Sequence, residues 1–256
     1  MKYHHIIILI YFLIFIYSCK QNPFVLSKIE GKQIGISDSL AIDQDIESLV
    51  APYKNRLKED MHTVLSYAPK TYTKQDGHLN TAIGNLMADV VFKEGNYIFN
   101  KRTNKNIDAV LLNHGGIRSI ITKGNITIET AFKVMPFENT IVVVALKGQQ
   151  IDSLMQFLSH AKRAHPIQGM QLTLNKNYKI VKALINGKAI VKDKTYYVAT
   201  SDYLYGGGDK MRFFKPNDSV YYLNYKIRKA MIDYFKKVDI IHPEIDERFI
   251  QLNELN

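Results

Sequence analysis

Apolar residues recur along this chain at several spacings, and each spacing predicts a different kind of element. An uncharged run fills Ile6 to Tyr17. Ile46, Leu49, Val50, Tyr53 and Leu57 then recur at helical spacing, with Asp43 placed to cap the helix and Pro52 set to kink it or delay its start. A second helix carries Ile83, Leu86, Met87, Val90 and Val91 behind Thr81, and Gly84-Asn85 inside it suggests close packing or a contact at that turn. Short β-branched runs bounded by turn residues, Ile107–Leu112 and Thr140–Leu146, read as strands. Gly148 opens a helix carrying Ile151, Leu154, Met155 and Leu158, and "GMQLTLN" alternates as a half-buried strand. Asn186-Gly187 predicts a hairpin joining "YKIVKAL" to "TYYVATS", and a tyrosine-rich helix is expected from about Ser219 to Lys237. Helices and strands mix without a regular βαβ alternation. The expected fold is α+β, a mixed β-sheet with flanking helices.

The ends refine this picture. The run Ile6–Tyr17 is short for a membrane span of about 20 residues and suits the core of a signal peptide. Ser18-Cys19 follows, and Cys19 is the only cysteine of the 256 residues, so no intrachain disulfide can form. A lone cysteine there resembles the lipobox of bacterial lipoproteins, where the thiol is acylated. We therefore expect a signal peptide over 1–18, a tether over 19–41 and one folded domain over 42–256. The resemblance implies an exported bacterial lipoprotein, held on the periplasmic or cell-surface side of a membrane through Cys19. The formal net charge of +10 favours acidic partners. Its lysines are scattered rather than clustered, which argues against nucleic acid as a specific partner.

Catalytic motifs are scarce. The chain has no Gly-x-Ser-x-Gly, no phosphate-binding Walker loop, no His-Glu-x-x-His and no cysteine beyond Cys19. Asp60-Met61-His62 has a spacing used by dimetal phosphatases, but it falls in a predicted helix where residues two apart face away from each other. No metal site is expected. Ligand-binding pieces are better represented. "DAVLLNHGGIR" runs a buried strand into two glycines and Arg118, a loop suited to an anion. Phe137 follows a proline at the head of a strand, and Tyr203 precedes three glycines and Asp209. Two rings on separate loops could clamp a flat heterocycle, although each taken alone fits an ordinary core aromatic.

Together, "AIGNLMADVV", "DAVLLNHGGIR", "ITIETAFKVMPFENTIVVVALKGQQI", "GMQLTL" and "YYVATSDYLYGGGD" run in the order found in the C-terminal domain of bacterial 5'-nucleotidases and UDP-sugar hydrolases, shared by animal ecto-5'-nucleotidase. The Ile42–Ala68 segment resembles the helix linking the two domains there. In that family this domain holds the nucleoside. The resemblance implies that Phe137 and Tyr203 sandwich the base, with tyrosine where the family usually has phenylalanine. Asn139 would meet the base edge and Asp209 the ribose hydroxyls, while Gly169 would lie close to the ligand. Asn113, Gly116 and Arg118 would sit on the loop facing phosphate, the glycines allowing a turn tight enough for Asn113 and Arg118 to share one ligand-facing edge.

Two departures shape the expected function. The family often carries a further phosphate-binding arginine before "GNL", where this chain reads "DGHLNTAIGNL". No metallophosphatase domain accompanies the sequence, so no cofactor is expected in this chain and divalent metals are expected in a partner. The expectation is the recognition half of a split 5'-nucleotidase, binding an AMP-like nucleotide, a nucleoside or a UDP-sugar. A separately encoded metallophosphatase would hydrolyse the ester, this chain not being catalytic alone. The alternative is a non-catalytic nucleotide-binding surface lipoprotein.

Overall fold

A computed structural model describes residues 3–5, 25–37 and 40–252. Ile6–Tyr17 and Cys19 lie outside the described residues. The chain divides into two units, Met1–Leu49 and Val50–Asn256. In the first, residues 25–37 carry no helix or strand. Helix α1 (Gln44–Met61) starts where Asp43 Oδ1 accepts the amides of Asp45 at 3.0 Å and Ile46 at 3.2 Å. It buries none of its residues and continues through Pro52 rather than starting after it. Val64–Ala68, expected to be helical, is instead strand β1, paired antiparallel with β3 (Gly124–Thr127). The β-branched Val64 and alternating burial of Ser66 and Ala68 suit an extended chain. Among the described residues no helix is long and apolar enough to cross a membrane.

The second unit is built on a five-stranded mixed sheet. From edge to edge it orders β10 (Ser219–Lys226), β4 (Thr140–Lys147), β9 (Thr195–Ser201), β2 (Ala109–Leu111) and β5 (Ile167–Gln168). β9 and β2 are parallel and the other neighbours antiparallel. Both faces are covered, which explains why β4 is apolar at consecutive positions instead of alternating. Ile141 and Val143 join the core beneath α2 (Ala82–Thr103) and α6 (Ile227–Phe235). Val142, Val144 and Leu146 join the core beneath α4 (Gly148–Ala161) and a second sheet, β11 (Phe249–Gln251), β6 (Met170–Leu174), β7 (Ile180–Ile185) and β8 (Lys188–Ala189). β2 divides likewise, Val110 to one core and Leu111 to the other.

Gly84-Asn85 is a packing device. Buried Asn85 donates to the Asn80 side chain at 3.1 Å and the Glu244 carbonyl at 2.8 Å, and Asn80 donates to the carbonyls of Asp246 and Phe249. The start of α2 is thereby stitched to the C-terminal segment, with Thr81 capping the helix through the Gly84 amide.

Two further sequence expectations fail. Asn186-Gly187 does form a turn, but it joins β7 to the two-residue β8. "TYYVATS" becomes β9 in the other sheet, because its two faces, Tyr196 with Val198 and Tyr197 with Ala199, both need burial. The expected helix over Ser219–Lys237 is a strand followed by a helix. Its first half, "SVYYLNYK", is aromatic and pairs with β4, and helical spacing of buried residues begins only at Ile227, with Ala230, Met231 and Phe235.

Gly169, between β5 and β6, lies close against the chain entering β2, where the β2–β5 pairing ends. It has φ 72°, and a Cβ there would lie 2.2 Å from the Asp108 carbonyl oxygen. Gly169→Ala is expected to destabilise by about 2–4 kcal/mol, a fall of roughly 5–15 °C in Tm. Thermal unfolding tests this, and an unchanged Tm would mean that the backbone yields at no cost.

Candidate functional site

The sheet order brings three loops to one edge. β2 and β9 run parallel, so the loops after both emerge on the same side, and antiparallel β4 begins there. Loop ends of parallel strands are natural ligand positions in α/β sheets. Between the loops lies a cavity of about 590 Å³.

The first loop, after β2, is the 3-10 turn His114–Gly116. Neither Gly115 nor Gly116 has positive φ. The glycines instead make room for Asn113, whose side chain lies 3.3 Å from the position of a Cβ on Gly115 and 2.9 Å from one on Gly116. Asn113 reaches across to donate to Asp209 Oδ2 at 2.7 Å. Arg118 is exposed, with its guanidinium 5.9 Å from the Phe137 ring centroid.

The second loop, between helix α3 (Ile128–Val134) and β4, carries Phe137, Glu138 and Asn139 into the cavity wall. It is held from below by Arg228 of α6, whose guanidinium donates to the carbonyls of Met135, Pro136 and Phe137 at 3.3, 3.0 and 3.3 Å and pairs with Glu138. The same guanidinium lies 4.0 Å from the Phe132 ring centroid. Lys226 also pairs with Glu138, and bonds from Lys226 and Arg228 hold that carboxyl below the usual range.

The third loop, after β9, begins with the short helix α5 (Asp202–Tyr205) carrying Tyr203 and continues to Gly208 and Asp209. Tyr203 donates its hydroxyl to Asp209 Oδ1 at 3.0 Å, and that bond raises the phenol above its ordinary pKa. Its ring lies over Gly208, where a Cβ would come within 2.5 Å of it. Asp209 is left-handed, φ 50°, so the turn presents its carboxylate at a backbone position where Asp is tolerated better than most residues. Asp202 joins the second and third loops. It accepts from Asn139 Nδ2 at 3.0 Å, Thr140 Oγ1 at 2.8 Å and the Tyr203 amide at 2.8 Å. Burial pushes the Asp202 carboxyl up, but these bonds outweigh it and hold the group below its ordinary pKa.

His165 underlies the first loop, buried to 6% exposure. Its Nδ1 lies 3.3 Å from both the His114 amide nitrogen and the Leu112 carbonyl oxygen. Burial lowers its pKa to about 4 against the pull of the Leu112 bond, so the imidazole is neutral near pH 7.

Of the residues singled out in the sequence, Asn113, Gly116, Arg118, Phe137, Asn139, Tyr203 and Asp209 line this one cavity. Gly169 does not; its role is the close backbone approach to Asp108. Sequence reasoning missed Glu138, Asp202, His165 and Arg228. Arg228 had a signal, since it stands beside Ile227 and near Ala230 and Met231 on an apolar helical face, but the strand–helix boundary hid that face. Asp60-Met61-His62 ends α1, and among the described residues no group of three or more His, Cys, Asp or Glu could hold a metal.

A family model described as "5'-nucleotidase, C-terminal domain" matches residues 62–216. The trifunctional nucleotide phosphoesterase protein YfkN of Bacillus subtilis is 30% identical over 214 residues, covering 77% of this chain and 14% of that protein. A snake venom 5'-nucleotidase of Gloydius brevicauda is 26% identical over 258 residues, covering 87% of this chain and 42% of its own length. The structure of a 5'-nucleotidase precursor from Thermus thermophilus superposes with a TM-score of 0.67 at 21% identity, over 82% of this chain and 43% of that one. The chain spans less than half the length of each of these relatives.

Neutral His165 makes the first loop sensitive to acid. Its pKa is depressed in the folded state, so from about pH 6.5 down to about 4 the unfolded chain takes up a proton that the folded chain refuses. Stability is present in full above that window and is lost through it as pH falls, by at most about 3 kcal/mol. Unfolding curves between pH 7 and pH 4 are expected to show a shallower loss in His165→Gln than in the wild type. Parallel curves would show that His165 does not carry the effect.

Proposed function

The chain belongs to the family of 5'-nucleotidase C-terminal domains, and from that premise we propose that its cavity seats the base and ribose of a nucleotide for a phosphatase supplied by a separate chain. The observation that carries this reading is the convergence, on one 590 Å³ cavity, of two aromatic rings, a fixed amide and a carboxylate. Phe137 and Tyr203 offer apolar faces for a heterocycle, Asn139 a polar contact for its edge, and Asp209 an acceptor for sugar hydroxyls. Arg118 is the cation in the cavity wall and receives phosphate or diphosphate. An AMP-like ligand or a UDP-sugar fits this set.

Hydrolysis in this reading is the partner's work. A dimetal centre supplies a hydroxide nucleophile and polarises the phosphoryl oxygens. The described residues do not fit such a centre, since they gather no suitable donor group. This chain's contribution is to hold the nucleoside so that the ester projects beyond Arg118. Cys19, outside the described residues, is the proposed lipid attachment that keeps the pair at a membrane surface.

The full chain, purified in detergent, is expected to bind AMP and adenosine saturably by calorimetry. Phe137→Ala or Tyr203→Ala should each weaken binding by about 1–3 kcal/mol, roughly 5- to 150-fold. Phosphate should appear only when a dimetal phosphatase partner is added. Absence of heat with every purine and pyrimidine nucleotide would remove this reading. For the anchor, cells fed labelled palmitate should label the wild type and not Cys19→Ser; equal labelling of both would rule it out.

A further inference from the structure

We propose that Asp202 fixes the side-chain amide of Asn139 in one orientation, and that the cavity therefore selects nucleosides with an exocyclic amino group on the base over their oxo counterparts. The inference rests on the base-seating reading above and adds a specificity that this reading leaves open.

Asp202 is held ionised by its hydrogen bonds, so it can only accept. Asn139 must then turn its NH2 toward Asp202, as the 3.0 Å Nδ2 to Oδ1 distance shows. The flipped amide would set two acceptors face to face with no hydrogen between them, in a half-buried position where an unmatched polar contact is expensive. Thr140 Oγ1 and the Tyr203 amide occupy the same carboxylate, so Asp202 cannot swing away without leaving both. Asn139 lines the cavity with its orientation already decided.

What remains for a ligand is the amide oxygen, with the second N–H beside it. An adenine or cytosine edge presents an amino hydrogen next to an unprotonated ring nitrogen, donor then acceptor, and matches this order. Hypoxanthine and uracil present a carbonyl oxygen next to a ring N–H, the reverse order. They could match only by turning over between the rings. Asp209 resists that turn, because it fixes the side on which the sugar lies and is itself held by Asn113 and Tyr203. Selectivity thus comes from two carboxylates acting on different parts of the ligand, Asp209 directly and Asp202 through Asn139. Asp202 is a positioning residue here.

The test measures binding of two matched pairs, adenosine against inosine and cytidine against uridine, to the full chain by calorimetry. The wild type should prefer the amino member of each pair by roughly tenfold, the effect of one mismatched hydrogen-bond pair. In Asp202→Ala no acceptor faces Asn139, so its amide is free to flip and the preference should collapse to within about twofold while binding persists. Asn139→Ala should erase the preference in the same way, and it stands in if Asp202→Ala does not fold. Saturable binding without preference in the wild type, or a preference that survives both substitutions, overturns this inference and leaves the base-seating reading intact. Failure of every nucleoside to bind overturns both.

Discussion

A guanidinium buried under a loop is the constraint on which the site depends. Arg228 is 6% exposed, and taking such a cation out of water costs several kcal/mol unless its donors are met. Three successive carbonyls of the Met135–Phe137 segment and the Glu138 carboxylate meet them. The obligation is mutual, since those carbonyls belong to a connection outside any ladder and would otherwise need water. The Phe137 loop consequently has one arrangement that satisfies both sides. The ring at its tip is held in place by α6, although it is 42% exposed and packs little itself.

The remaining loops are joined to that fixed point by two carboxylates, each used more than once. Asp202 binds the Asn139–Thr140 strand entry to the Tyr203 amide, and Asp209 binds Tyr203 to Asn113. Starting from Arg228, a hydrogen-bonded path therefore leads through Phe137, Asn139, Asp202, Tyr203 and Asp209 to the first loop. The sheet beneath supplies the framework, because parallel β2 and β9 with antiparallel β4 deliver all three loops to one edge. Loops linked in this way have little further freedom to lose, so a ligand in the proposed reading would find them already ordered.

What was legible in the sequence follows the range of the interaction concerned. The buried strand β4 announces itself because both of its faces need apolar residues, and α2 and α4 because their buried positions keep helical spacing. Asn113, Phe137, Tyr203 and Asp209, which line one cavity, stood out beside glycines and a proline, local marks of loops. Asp202 carried no such mark, since its partners Asn139 and Thr140 are more than sixty positions away. His165 was invisible for the same reason, as its contacts lie on another loop. Gly169 misled in the opposite direction. A left-handed glycine pressed against a backbone carbonyl looks, in sequence, the same as one cleared for a ligand. The boundary between β10 and α6 was lost because the run from Ser219 to Lys237 carries apolar and aromatic residues throughout, and only pairing of its first half with β4 shows where the strand ends.

Tyr203 shows how the same network bears on the selectivity proposed for the site. A phenylalanine there would offer the same face for stacking but could not reach Asp209. With tyrosine, the ring is drawn down over Gly208 and its hydroxyl occupies one lone pair of Oδ1, while Asn113 occupies one of Oδ2. Each oxygen keeps a further acceptor position, so a ligand diol can still be received without breaking either bond. The carboxylate is less free to rotate, however, and a sugar hydroxyl must come to it from the cavity side. In the proposed reading, Asp209 sets the side of the sugar and Asp202 the order of donor and acceptor at the base edge. A ligand that satisfied one while mismatching the other would leave a polar group unpaired, and that penalty, more than any added contact, would discriminate between bases of equal size and equal stacking area.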